Sequence, residues 1–189
     1  FLRYPEMAGY DFARGNSLYP RGKSLDGEHY DIGDVEVDSD GHKHAEHAFC
    51  PLKYVDEKVD RAWACSWIES MVELNNVVLS PEQRNEIADR MESFVESPHR
   101  TMLNFWNGLQ DRQLRAALEV YTRKGMMVFM LDADEDGLEI RNNGAFTVFE
   151  IEELMGMGEQ RYVLPVLLYL FRRIEKSLRG QPAVIILDE

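Results

Sequence analysis

Hydrophobic and polar positions along the chain follow two kinds of pattern. The first is short and compact. Gly9-Tyr10-Asp11-Phe12, His29-Tyr30-Asp31-Ile32, Phe146-Thr147-Val148-Phe149-Glu150 and Ala183-Val184-Ile185-Ile186-Leu187 are runs of aromatic, β-branched and small apolar residues, and each reads as a strand. The second pattern is helical. Val59, Ala62, Trp63, Trp67, Met71 and Leu74 recur at a spacing that predicts a helix of about five turns. Ser80-Pro81-Glu82-Gln83 predicts the start of another, with Ser as cap, Pro at the first position and Gln three residues on. Its apolar face is Ile87, Met91, Phe94 and Val95. Shorter helices are predicted over 102–109 and 112–123, the last ending before Gly125, so 55–125 reads as an all-helical block. A helical turn at 152–155 and a long helix over 158–178 follow the Phe146 strand. The long helix has Val163, Val166, Leu167, Leu170, Phe171, Ile174 and Leu178 on its apolar face and Arg172, Arg173, Lys176 and Arg179 near its end, where they suit the helix dipole. Pro165 falls in its first two turns, where it costs least, and Gly180 ends it. Residues 1–8 read as the end of a helix at Pro5, and 34–47 as a polar loop. Strand, helix, strand at the end of the chain predicts a right-handed crossover in a parallel sheet, and the fold class is α/β.

The closing strand carries the chemistry. Four large apolar residues run without a break into Asp188 and Glu189. Such a run fits a strand buried on both faces of a parallel sheet, and ligands of these sheets collect beyond the carboxyl ends of the strands. The pattern is that of a Walker B strand, in which the first carboxylate holds Mg²⁺ through water and the second orients or activates the attacking water. A core strand that stops at two solvated acids has the same pattern, and the run from Ala183 to Glu189 alone does not separate the two.

Composition narrows the partners. The 189 residues suffice for one α/β domain, and 44 % of them are hydrophobic. The net charge of −13 argues against sequence-independent nucleic-acid binding and against direct attraction to an anionic membrane. More than half of that excess lies between Asp26 and Ala48, where eight acids face one Lys. Two cysteines, Cys50 and Cys65, do not make a disulfide framework. No apolar stretch reaches the length of a membrane span.

Three further motifs have bland readings beside the functional ones. Gly22-Lys23-Ser24 matches the tail of a phosphate-binding loop, but Ser17 stands where the leading glycine belongs and Pro20 lies inside, so a solvated basic turn is the reading adopted. His42, His44, His47 and Cys50 have a spacing suited to Zn²⁺ or Ni²⁺, or to nothing more than a solvated loop. Asp132-Ala133-Asp134-Glu135-Asp136-Gly137 begins like a Ca²⁺ loop, but its twelfth position is Asn143; an exposed acidic turn is the default. Trp63, Trp67, Phe94, Phe105 and Trp106 read as packing.

Phe1-Leu2-Arg3-Tyr4-Pro5, His29-Tyr30-Asp31-Ile32-Gly33, Ala48-Phe49-Cys50-Pro51-Leu52, Pro81-Glu82-Gln83-Arg84-Asn85, Glu96-Ser97-Pro98-His99-Arg100-Thr101, Val148-Phe149-Glu150 and the stretch from Pro165 to Glu175 occur in this order. Together they closely resemble the conjugal-transfer ATPases of type IV secretion systems, the CagE/TrbE/VirB group, over essentially the whole chain. The resemblance implies a portion of a RecA-like P-loop NTPase core, with 55–125 as a helical insertion and 126–189 returning to the core up to the Walker B strand. It implies an internal piece of a longer polypeptide, without the Walker A loop. It makes Asp188 the Mg²⁺ carboxylate and Glu189 the catalytic one, with ATP and Mg²⁺ as cofactors. It further implies a homo-hexamer at the cytoplasmic face of the bacterial inner membrane, held there through inner-membrane components of the secretion apparatus and driving pilus assembly and substrate transfer. One departure stands out: the family usually shows Phe-Asp-Lys-Gly where this chain has Phe12-Ala13-Arg14-Gly15. Arg100 and Arg141 are the arginine-finger candidates, with nothing in their spacing to choose between them. The alternatives are a non-catalytic docking module and a DNA-translocating ATPase of the coupling-protein type, the latter not favoured by the acidic charge.

Overall fold

The structure, a computed structural model, describes residues 7–14, 27–37, 39, 43–45, 47–122, 127–140 and 146–187. The predicted helix at 1–5 and the Gly22-Lys23-Ser24 turn lie outside these residues. The chain divides into two compact units, one of 1–47, 138–158 and 169–189, the other of 48–137 and 159–168.

The first unit is built on a four-stranded sheet. Strands β1 (Ala8–Ala13), β2 (Glu28–Asp31), β5 (Phe146–Glu150) and β6 (Ala183–Leu187) lie in the order β2-β5-β1-β6, and every pair is parallel. Strand β1 is central and all six of its residues are buried. Strands β5 and β6 are not neighbours, because β1 lies between them. Alternation along the strands sorts the side chains onto two faces. Tyr10 and Phe12 share one of them with Phe149 and Tyr30. There Phe12 packs at 5.0 Å from both Phe149 and Phe171, Tyr30 stacks on Phe149 at 5.7 Å, and the Tyr10 hydroxyl lies 2.9 Å from Ser177 Oγ. Phe171 and Ser177 belong to the long helix α7 (Gln160–Ser177), so its C-terminal half closes this face.

Strand β6 is not buried on both faces: Val184, Ile185 and Ile186 are 37–45 % exposed and Leu187 68 %. The reason is its position, with β1 on one side and no strand among the described residues on the other. Within 34–47, read as a polar loop, Val35–Val37 (β3) and Lys43–Ala45 (β4) pair as an antiparallel hairpin. Three-residue strands of mixed polarity carry too little alternation to be read from sequence.

The second unit is helical. It holds α1 (Lys58–Leu74), α2 (Pro81–Phe94), α3 (Met102–Asn107), α4 (Arg112–Leu118) and the four-residue α5 (Val128–Leu131), which the sequence pattern did not predict. The predicted helix over 112–123 stops earlier, tightening into a 3₁₀ turn at Glu119–Tyr121. The start of α2 is the capping box read from sequence: Ser80 Oγ accepts the Gln83 N–H, and the Gln83 side chain accepts the Ser80 N–H. The buried face of α1 is rotated from expectation. Asp60, Ala64, Trp67, Ile68, Met71 and Val72 are inside, whereas Val59 is 68 % exposed.

The first half of α7 contains Pro165, which has no N–H to give the carbonyl of Arg161 one turn earlier. The Tyr121 hydroxyl supplies the missing donor, at 2.8 Å from Arg161 O, and itself accepts from Asn75 Nδ2 at 3.0 Å. The carbonyl of Pro165 in turn accepts the Trp67 indole N–H at 3.0 Å. Burial pushes the Tyr121 phenol up to about 12, so it stays a donor at neutral pH. Tyr121→Phe is expected to cost about 1–3 kcal/mol by leaving a carbonyl unsatisfied. The penalty should shrink in a Pro165→Ala background, which restores the backbone donor. Chemical denaturation of the four proteins of this cycle checks it, and equal penalties in both backgrounds would overturn the account.

Candidate functional site

The carboxyl ends of the parallel strands are level. Ala13 of β1 is in register with Glu150 of β5, and Glu150 with Asp31 of β2. On the far side of β1, Ile186 stands beside Asp11 and Leu187 beside Phe12. Asp188 and Glu189, the predicted metal and catalytic carboxylates, lie outside the described residues, one and two positions beyond Leu187. What the structure describes is the strand leading to them and, across β1 from it, the ground at the carboxyl ends of β5 and β2.

That ground is acidic. Asp31, Ile32, Asp34, Glu150, Glu152 and Glu153 line a cavity of about 130 Å³ with no Lys or Arg among them. The chain is fixed here by backbone bonds: Ile32 N–H donates to Glu150 O at 2.8 Å, and Ile151 N–H to Ala13 O at 3.0 Å. Glu152 N–H reaches Glu150 Oε1 at 3.3 Å as α6 (Glu152–Gly156) begins. Gly33 makes the turn after β2 with φ +97°, and a Cβ there would stand 2.8 Å from the Leu154 nitrogen. His29 Nδ1 lies 3.4 Å from Asp31 Oδ2 on the same strand face. These acids do not converge as ligands: among the described residues no three His, Cys, Asp or Glu side chains are grouped to hold a metal ion. The local field nevertheless favours cations over anions.

Two buried carboxylates of the sheet escaped the sequence reading. Asp11 is fully buried on the central strand, with apolar Val148 and Ile186 as its register neighbours, and Glu150 is 7 % exposed. The signal was available as parity. Asp11, Ala13, Val148, Glu150, His29 and Asp31 share one face because the side-chain period is two. Ala13, where the family shows an acid, is fully buried; on β1 the nearest acid of that face is Asp11, one pleat earlier.

The other candidates are dispersed or structural. The ring of His47 packs edge-on against Tyr30 at 5.0 Å. Cys50 belongs to the helical unit, where burial pushes its thiol up to about 11 and Sγ donates to Arg100 O at 3.4 Å. His44 is on β4, and His42 lies outside the described residues. The Asp132–Gly137 turn is fastened to its own unit: Asp132 Oδ1 accepts the Leu103 N–H at 2.8 Å at the start of α3, Gly137 N–H donates to Ala48 O at 2.9 Å, and Glu135 pairs with Lys53. Burial, then the carboxylate of Glu28, push the phenol of Tyr30 well above its ordinary range, and its hydroxyl donates to Glu139 O at 2.6 Å.

Arg100 is a clamp. Nη1 donates to Lys53 O and Asp56 Oδ2 at 2.7 and 2.9 Å, and Nη2 to Asp56 Oδ1 and Val95 O at 2.7 and 2.8 Å. All four bonds lie within the helical unit. Arg141 lies outside the described residues. Arg100→Ala should remove about 2–4 kcal/mol, mostly through the two backbone carbonyls, since the Asp56 pair is solvent-screened. Arg100→Lys should recover little, because an ammonium cannot span the fork. A thermal melt followed at 222 nm reads both, and a wild-type midpoint for the alanine variant would refute the clamp.

No protein-family model matches the chain. It is 44 % identical over its full length to a probable conjugal transfer protein TrbE of Sinorhizobium fredii, and 45 % identical to conjugal transfer protein TrbE of Rhizobium radiobacter. The whole chain is homologous to a segment of TrbE conjugal transfer proteins. It spans 27 % and 22 % of those two relatives' lengths, about a quarter. A more distant relative is the type IV secretion system protein virB4 of Bartonella quintana, 21 % identical over 74 % of this chain and 18 % of its own length. No helix among the described residues is long and apolar enough to cross a membrane.

Proposed function

We propose that the chain belongs to an ATP-hydrolysing motor that serves conjugative transfer through a type IV secretion apparatus. One observation carries this reading: β6, a parallel strand, ends at Leu187 after the run Ala-Val-Ile-Ile-Leu, and Asp188-Glu189 come next in the sequence, in a chain homologous throughout to TrbE proteins. Asp188 is assigned to Mg²⁺ and Glu189 to the attacking water. Carboxylate oxygens are the donors that a hard divalent cation takes. Bound Mg²⁺ neutralises charge that develops on the phosphoryl oxygens. In this reading the parent polypeptide works as a homo-hexamer at the cytoplasmic face of the inner membrane, held by other components of the apparatus.

The purified parent polypeptide is expected to hydrolyse ATP in a Mg²⁺-dependent way that a chelator abolishes; a protein that binds no nucleotide and turns none over would sink the proposal. The 189-residue chain has no complete G-x-x-x-x-G-K-[ST] loop, since Ser17 replaces its first glycine. Losing about three charge-assisted bonds to phosphate removes on the order of 5 kcal/mol, a factor of about 10³–10⁴ in affinity. Calorimetry on this chain should therefore detect no micromolar Mg-ATP binding, and finding it would contradict the assignment.

A second reading, a docking module with inert acids, is favoured by the exposed apolar side of α1 at Val59. It differs in one outcome: transfer activity would survive loss of the Glu189 carboxylate.

A further inference from the structure

We draw no further inference here: the strongest candidate, the apolar outer side of β6 from Val184 to Leu187, is exposed among the described residues and nothing in the structure shows what covers it.

Discussion

Replacing Glu189 by Gln in the full-length parent polypeptide is expected to lower ATP turnover by about 100-fold or more while nucleotide binding persists. Gln keeps the size and hydrogen-bonding reach of the side chain and removes its basicity. A positioned general base contributes about 10²–10⁴ in rate, whereas the phosphates are gripped elsewhere. Asp188→Asn should differ in kind, weakening the Mg²⁺ dependence itself. Turnover and fluorescent-nucleotide binding measured on the same preparations make the distinction. Wild-type turnover in the Gln variant would remove Glu189 from the mechanism and leave the docking reading standing.

The second large effect is structural. Gly33→Ala should destabilise the sheet unit by about 3 kcal/mol or more. The residue sits at φ +97°, where an L side chain is strained by about 1–3 kcal/mol, and its new Cβ would press on the backbone nitrogen of Leu154 at 2.8 Å. Backbone cannot swing aside as a flexible side chain can. Gly156→Ala is the control, because a Cβ there meets nothing within 4 Å. Amide exchange should show β2 and β5 losing protection in the first variant and keeping it in the second, with α1 and α2 unchanged in both. Full protection of β2 in Gly33→Ala would mean that the turn relaxes at no cost.

Local signals in the sequence translated well, and signals that depend on distant partners did not. The capping box of α2 is contained in four consecutive residues, so Ser80 to Gln83 could be read without the rest of the fold. The parallel strands β1, β2, β5 and β6 were visible as runs. The orientation of α1 was not, because two apolar stripes wind around that helix and packing selects the one through Ala64, Trp67, Ile68, Met71 and Val72. Arg100 reads as an exposed cation until Asp56, forty-four positions earlier, is seen to hold it. Of the candidate site, the strand β6 was legible through its apolar run. The acids that gather beside β2 and β5 were not, because Asp31 and Glu150 meet only through strand register.

The tryptophans set what light can report about this molecule. Trp63, Trp67 and Trp106 are the only three in the sequence, and all belong to the helical unit. Trp67 stacks on Trp63 at 5.7 Å and Trp106 lies under the Arg115 guanidinium at 3.9 Å, so each is in a specific environment that unfolding would change. The sheet unit has tyrosine and phenylalanine alone. Intrinsic emission excited at the red edge of protein absorption therefore follows the helices and is blind to the strands. An engineered Trp in place of Phe149 or Phe171 would give the sheet a voice of its own.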